Sequence, residues 1–513
     1  MQDRPEDYQS AKVVAVGLSQ QPPLGISGPE RARNSAPNRV RFFRMNSLHS
    51  TSLKPLIVIM LIFPATLLCS QRPLADRNNV SAADETAFEK AMDSFNGGDF
   101  ARAQSALLDL YPRHTENFEI NESLGLVYAA ENQLQAALPF FKRAVYERPK
   151  EAVPHANLGT TFLKLGYNAD AARELSVAAQ LDPGNAQTEE ALGQAWMLLK
   201  EPNKAQTAFA AALVKDAQNP DLLYNSALAA YDNGNFTEAA SLLSRMPGLE
   251  SSAPGQSLYG DVDEKLGDYK EAADHYVSAV QLDPSESNVY SLGLDFLRHW
   301  SFEPAEKELE AGVKQFPSSA RMRFALGLAY YGSNSYDRAI PVFAVLLNSD
   351  SKNAVYADML GMTCAFLTEG LDPHCSVIVN FAEQHPRDAM IATYAATSIL
   401  HRQSDPQQFE KARRLLDLAI QHNPALPEAR YAMGLLLQEE GQWQQSIPEM
   451  KMAVRNKPDY AQAHYRLAIA YSHTGQKEQA KSEMALQRKY SEQASRDLDT
   501  KLNQITTLLV SMK

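Results

Sequence analysis

Residues 152–183 read AVPHANLGTTFLKLGYNADAARELSVAAQLDP, and the arrangement of residue types in this stretch returns along most of the chain. Its glycine, Gly159, belongs to a series of small residues that recur in steps of 34, with two steps of 33 in the middle. The series comprises Gly125, Gly159, Gly193, Ala227, Gly260, Gly293, Gly327 and Gly361, and later Gly434 and Ala468. A period of this length predicts stacked helical units, because a single unit is too short to bury its own apolar face.

The residue types within one unit fit two packed helices. We number each unit so that Ala152 is position 1, which puts small residues at position 8 (Gly159) and position 20 (Ala171). Small residues at both positions let the two helix axes approach closely, and Leu175, one helical turn after Ala171, fills the space between neighbouring pairs. Pro183 ends the second helix because proline cannot continue it. The pattern therefore predicts a helix–turn–helix in every unit.

This pattern resembles the tetratricopeptide repeat, over residues 84–490, or about twelve units. The resemblance implies an all-α fold, a right-handed α-solenoid whose concave face is lined by the first helix of each unit. In that family the concave groove holds an extended peptide or a helix of a partner. After Tyr490 no new unit begins, and we expect residues 491–513 to form a capping helix that covers the last unit.

Three segments precede the repeats. Residues 1–44 show no apolar period and are predicted to be a disordered tail or the result of a start codon assigned too far upstream. Residues 45–70 place Lys54 before an apolar run that ends at Cys69, which is the pattern of a secretory signal peptide. Residues 71–83 are predicted to be a linker. We therefore expect an exported protein, either periplasmic or secreted.

A membrane anchor is the alternative interpretation of the apolar run at residues 55–69. The run is shorter than the about 20 residues that a spanning helix needs, and Pro64 interrupts it. The sequence thus favours a signal peptide that is cleaved from the mature chain. We expect contact with a membrane only if this N-terminal segment is not cleaved.

Charge and composition exclude several classes of function. The chain carries 49 Lys and Arg against 61 Asp and Glu, a net charge of −12, and removal of residues 1–70 would change this to −16. A nucleic-acid binder would normally present a basic face. Three cysteines exclude a disulfide-dense scaffold and a metal cluster held by four cysteines.

The sequence lacks the motifs of an active site or a cofactor site. It contains neither a phosphate-binding glycine-rich loop, nor a dinucleotide fingerprint, nor a nucleophile elbow, and its eleven histidines never form His-Glu-x-x-His. Asp261 and Asp263 lack the third acidic residue and the glycine of a calcium loop. We therefore expect no catalytic residues, no cofactor and no metal site.

Apolar residues occupy groove-facing positions of the later units. Positions 5 and 9 hold Tyr290, Leu294, Phe324, Leu328, Tyr431, Leu435, Tyr465 and Ile469, and other groove-facing positions hold Tyr331, Met362 and Phe366. An exposed stripe of this kind predicts a partner groove for an apolar segment of a peptide. The alternative is that a tightly wound superhelix buries part of the stripe between successive first helices.

The early units carry polar residues at the same positions, among them Glu119, Glu122, Thr160, Gln187, Glu190 and Gln194. One known binding mode of the family clamps a C-terminal carboxylate with Lys at position 5 and Asn at position 9. No unit supplies that pair, so we do not expect a clamp for chaperone tails.

A disulfide between Cys364 and Cys375 is predicted from their symmetric placement about Glu369 and Gly370, where the turn of the ninth unit should lie. Residues equidistant from the turn of an antiparallel helix pair face each other. The alternative is that both thiols pack as small buried apolar groups. Export favours the bond, because disulfides persist in oxidising compartments.

These observations predict a non-catalytic extracytoplasmic scaffold that binds a protein or peptide in its concave groove, with no nucleic-acid partner. The sequence leaves two alternative functions open. One is an accessory subunit of an enzyme or of a polymer or protein export machine, and the other is a solenoid that binds glycans through its tyrosines.

Overall fold

The computed structural model describes residues 80–366, 373–400 and 406–496, and their regular secondary structure is entirely helical. Within these ranges twenty-four α-helices follow one another as twelve pairs, which confirms the predicted all-α solenoid of about twelve units. None of the helices in these ranges combines the length and apolar character that crossing a membrane requires. The predictions for residues 1–79 and for the chain beyond Arg496 lie outside the described residues.

The first helices of the pairs are α1 (Ala82–Asn96), α3 (Phe118–Ala130), α5 (Ala152–Lys164), α7 (Ala186–Leu198), α9 (Pro220–Asp232), α11 (Ala253–Leu266), α13 (Glu286–Arg298), α15 (Ala320–Gly332), α17 (Ala354–Phe366), α19 (Ala389–Leu400), α21 (Pro427–Glu439) and α23 (Ala461–His473). The second helices are α2 (Phe100–Leu110), α4 (Leu134–Glu147), α6 (Asn168–Leu181), α8 (Pro202–Leu213), α10 (Phe236–Ser244), α12 (Tyr269–Leu282), α14 (Phe302–Gln315), α16 (Tyr336–Ser349), α18 (Ser376–Gln384), α20 (Pro406–His422), α22 (Trp443–Asn456) and α24 (Lys477–Arg496). Helix α24 therefore continues past residue 490 without a break.

Polar side chains cap the N-termini of several first helices by accepting hydrogen bonds from backbone amides. The Asn117 side chain accepts a hydrogen bond from the amide of Ile120 at 3.0 Å, and Asn219 accepts one from Leu222 at 3.1 Å. Such caps satisfy amides that have no partner within the helix, and each contributes about 1 kcal/mol. They help to fix where these units begin.

The turn inside a unit needs a left-handed residue at position 15. Gly166 has φ +78° there and lies between α5 and α6. Lys200 and Trp300 take the same conformation at the same position, with φ near +60°. Side chains with a Cβ rarely adopt this conformation, so the packing of the two helices on either side outweighs the local cost.

The predicted close approach within a unit is present at position 8. A Cβ added to Gly159 would lie 2.7 Å from Cγ of Leu175, and one added to Gly327 would lie 2.5 Å from Cε1 of Phe343. Both large residues stand at position 24 of their unit and are fully buried. The large side chain at position 24 therefore packs directly against the small residue at position 8, as the residue types predict.

The ninth unit departs from this rule. A Cβ on Gly361 would meet the ring of Tyr394 at 2.8 Å, and Tyr394 belongs to α19, the first helix of the next unit. The unit's own second helix, α18, has only nine residues and follows a short 3-10 helix. The space beside Gly361 is thus filled from the neighbouring unit.

Candidate partner groove

The structure buries most of the predicted apolar stripe. Seven of its eleven side chains belong to the core: Tyr290, Leu294, Phe324, Leu328, Tyr331, Met362 and Leu435. These seven offer no surface to a partner, which corrects the prediction of an open stripe in the middle of the array. These seven side chains are instead buried between successive first helices, as the alternative interpretation states.

The packing around Phe324 shows the cause of this burial. Its ring lies 5.8 Å from the ring of Phe343 in its own unit and 5.6 Å from that of Tyr356 in α17. Tyr331 similarly lies between Tyr336 and Phe366, with ring centroids 5.7 and 6.2 Å away. Successive first helices lie close enough to enclose the side chains at positions 5, 9 and 12.

The stripe remains accessible at the last two units. Tyr465 of α23 is 40% exposed, whereas Tyr431 of α21 and Ile469 are partly buried. Tyr431 rests on the ring of Tyr460 at 5.0 Å. We call Tyr431, Tyr465 and Ile469 the C-terminal groove patch. Phe366, also partly buried, stacks on Tyr336 at 5.5 Å and so lies against its own array.

The early units place buried polar groups on the corresponding helix faces. The side-chain amide of Asn157 donates a hydrogen bond to Glu122 Oε1, while Glu122 Oε2 has no hydrogen-bond partner. Burial raises the pKa of Glu122 to about 7, against the smaller lowering effect of the Asn157 hydrogen bond. Burial, with the charges of Asp221 and Asp216, raises the pKa of Glu190 to about 7. Both carboxyl groups are therefore buried on first helices, Glu122 on α3 and Glu190 on α7.

Three polar side chains meet between the sixth and seventh units. Glu264 of α11 lies beside Asp295 of α13 and His299, the residue that caps α13. His299 Nε2 is 2.5 Å from Glu264 Oε1, and this hydrogen bond raises the pKa of His299. Burial, followed by the charge of Glu264, raises the pKa of Asp295. The cluster combines two carboxyl groups and one imidazole.

No residue spacing within a single helix indicates this cluster, because its members come from two units. Asp295 and His299 are four residues apart and therefore share one helix face, but Glu264 lies 31 residues earlier in the preceding unit. The repeat numbering relates Glu264 to Asp295, because it assigns each residue a position within its unit. Glu264 stands at position 12 of the sixth unit and Asp295 at position 10 of the seventh, and these two positions meet because α11 and α13 are neighbouring first helices.

The two predicted disulfide cysteines lie together in the ninth unit. The structure joins Cys364 of α17 to Cys375, just before α18, with Cα atoms 5.9 Å apart. Both residues are buried. Residues 367–372, which connect them, lie outside the described ranges.

A family model described as a tetratricopeptide repeat matches residues 88–152, 199–255, 290–354 and 431–486. The chain is a tetratricopeptide repeat protein. Its four matched regions each contain helices of successive pairs, which agrees with the twelve-unit array.

This tetratricopeptide repeat protein is similar to several solved structures. PilF of Pseudomonas aeruginosa has 18% identity and a TM-score of 0.34, over 40% of this chain and 94% of that one. YrrB, described as a protein of this repeat type with an unusual peptide-binding site, has 20% identity and a TM-score of 0.32, over 36% and 96%. A tetratricopeptide repeat protein from Parabacteroides merdae has 16% identity and a TM-score of 0.35, over 48% and 99%. No curated protein matches the chain.

Proposed function

We propose that this tetratricopeptide repeat protein is a non-catalytic, extracytoplasmic scaffold that binds an apolar segment of a partner protein at its C-terminal groove patch. The repeats make interaction with proteins the general expectation for the chain. The observation that carries the finer proposal is Tyr465, a 40% exposed aromatic side chain at a groove-facing position. Tyrosine combines a large apolar ring with a polar tip, and it is enriched among residues that anchor interfaces.

Tyr465 differs from its equivalents for a structural reason. Position 5 of the earlier units is covered by a first helix of the following unit, as Phe324 is by α17. Within the described residues no first helix follows α23, so the ring of Tyr465 retains its exposure. Ile469, one turn later on the same face, extends the apolar surface. A partner helix or extended segment that packs here would take the place of a further unit.

Photo-crosslinking tests this site in the native host. Replacing Tyr465 by p-benzoylphenylalanine should yield a discrete crosslinked protein, whereas the same replacement at Tyr146, which is 72% exposed on α4, should not. With the crosslinked protein purified, Tyr465→Ala should weaken binding about tenfold or more, since an aromatic anchor commonly contributes about 2 kcal/mol. Tyr146→Ala is the matched control.

Two results would contradict the proposed site. Equal crosslinking from positions 146 and 465 would show that exposure alone determines capture. Crosslinks from position 465 only to residues 497–513 of the same chain would show that the patch is covered internally.

Export is the second part of the proposal. It is supported by the signal-like pattern of residues 45–70 and by the bond between Cys364 and Cys375, since disulfides persist mainly in oxidising compartments. N-terminal sequencing of the protein from its native host tests it. A chain that begins at Met1 or Met45 and fractionates with the cytoplasm would disprove export.

A further inference from the structure

We propose that Glu264, Asp295 and His299 form a binding site for a divalent transition-metal ion of the zinc type. One candidate ligand atom from each residue lies within 4.8 Å of the other two. Asp295 and His299 come from α13 and its cap, and Glu264 comes from α11. The site thus bridges the first helices of two consecutive units. It is independent of the C-terminal groove patch.

A buried oxygen without a donor points to a missing cation. Asp295 Oδ1 accepts no hydrogen bond, and the Asp295 side chain is only 2% exposed. Its nearest cationic atom is Nε2 of His299 at 3.9 Å, beyond hydrogen-bond distance. Burying a carboxylate oxygen without a donor is costly, and a metal ion bound to it removes that cost. Asp295 and Glu264 also lie within hydrogen-bond reach of each other when one of the two carboxyl groups carries a proton, and a bound ion would displace that proton.

The ligand set fits a zinc-type ion better than calcium or magnesium. One imidazole nitrogen and two carboxylates suit zinc, which accepts nitrogen and oxygen in a four-coordinate site, whereas calcium and magnesium favour oxygen ligands alone. Two carboxylates and a neutral imidazole balance the charge of a divalent ion. Arg298 lies 3.7 Å from Oε2 of Glu264 and offsets part of this charge, but Oε1 is the atom that faces His299.

Binding requires small adjustments of the ligand side chains. Bonds of about 2.0–2.2 Å to a tetrahedral ion place its ligands about 3.3–3.6 Å apart. Asp295 Oδ1, which is 3.9 Å from His299 Nε2, would therefore move a few tenths of an ångström closer. Glu264 Oε1 and His299 Nε2 are 2.5 Å apart, so the ion would replace their hydrogen bond while the carboxylate draws back by less than about 1 Å. The ring of Tyr269 packs against the His299 ring at 4.4 Å and holds the imidazole in place.

The site keeps a position open for a fourth ligand. The His299 side chain is 31% exposed, so water reaches the cluster from that side. Three protein ligands with one open position are typical of zinc sites that exchange a water molecule or accept a donor from another molecule. Since α11 and α13 belong to different units, the ion would also fix how the sixth unit stacks on the seventh.

Cobalt substitution is the direct test. Titration of the purified full chain with Co²⁺ alone should give the visible absorption bands of a coordinated ion, saturating at one equivalent, and Zn²⁺ should displace it. Asp295→Asn should weaken Co²⁺ binding at least about tenfold, as loss of a metal-site residue commonly does. Zn²⁺ should also raise the thermal midpoint of the wild-type chain and leave that of Asp295→Asn unchanged.

The matched control is Asp274→Asn, the same chemical change at an exposed residue of α12, which should bind Co²⁺ as the wild type does. His299→Gln replaces a partly exposed group and serves as a second ligand variant if Asp295→Asn fails to fold. An unchanged spectrum at millimolar Co²⁺, or equal binding by the ligand and control variants, would overturn the proposal.

Discussion

Replacing Glu122 by glutamine should stabilise the N-terminal units at alkaline pH and have little effect in mild acid. Glu122 is 7% exposed in α3, and one of its carboxyl oxygens has no hydrogen-bond partner. The other oxygen accepts from the amide of Asn157 in α5, so the group links two first helices. Glutamine keeps the accepting oxygen and removes the charge.

The sign follows from the raised pKa. Because burial raises the pKa of Glu122 from 4.5 to about 7, the folded chain holds this proton to a higher pH than the unfolded chain does. The stability that this proton contributes is fully present below pH 4.5 and is lost progressively as the pH rises towards 7. The difference in pKa is equivalent to about 3 kcal/mol at most, so we expect Glu122→Gln to gain about 1–3 kcal/mol at pH 8.

Hydrogen exchange read by mass spectrometry measures this effect locally, which matters because long repeat arrays do not unfold in a single step. Peptides from α3 and α5 should exchange more slowly in Glu122→Gln than in the wild type at pH 8, by about fivefold for each 1 kcal/mol. At pH 4, below both pKa values, the two proteins should exchange nearly alike. The control is Glu89→Gln, at an exposed residue of α1. A variant that exchanges faster at pH 8, or by the same factor at both pH values, would refute the reasoning.

Three further changes test the packing of the later units. Phe324→Ala should lower the free energy of local unfolding of α15 by about 3–5 kcal/mol, because the ring has no exposed surface; a loss under about 1 kcal/mol, measured by hydrogen exchange in α15 peptides, would contradict its burial. Gly327→Ala should cost about 1–3 kcal/mol in the same measurement, since the new Cβ would lie 2.5 Å from Phe343; unchanged exchange would argue against this close approach. Reducing Cys364–Cys375 should cost at most about 3 kcal/mol. Alkylation of the denatured, unreduced protein should leave both thiols unlabelled, and two reactive thiols would contradict the bond.

The features that the sequence predicted correctly are those that depend on neighbours within one unit. Gly159 and Leu175 are 16 residues apart, and two short helices joined by a tight turn necessarily bring these positions together. The repeat length, the helical class and the number of units follow from that local rule. The left-handed Trp300 did not follow from it, because the position of a turn does not require an unfavourable residue.

The features that the sequence did not determine arise between units. The repeat pattern predicts that position 5 faces the concave side, yet whether Phe324 is exposed depends on how closely α17 approaches α15. The meeting of Glu264 with Asp295 depends on the same spacing. Residue types repeat along the sequence, but the winding of the array is the sum of many contacts between units, and no single motif encodes it.

The ninth unit shows how unevenly such contacts support an array. In the eighth unit the space beside Gly327 is filled by Phe343 of the same unit, whereas beside Gly361 it is filled by Tyr394 of the tenth. A unit completed from its neighbour cannot hold its first helix in place alone, so the ninth and tenth units are expected to order together. The short helix α18 packs mainly on α19 of the tenth unit, and the bond from Cys375 ties it to α17 of its own unit. The disulfide therefore lies where the regular pairing of helices is weakest. Its reduction should lower the local stability of α18 before that of the units on either side.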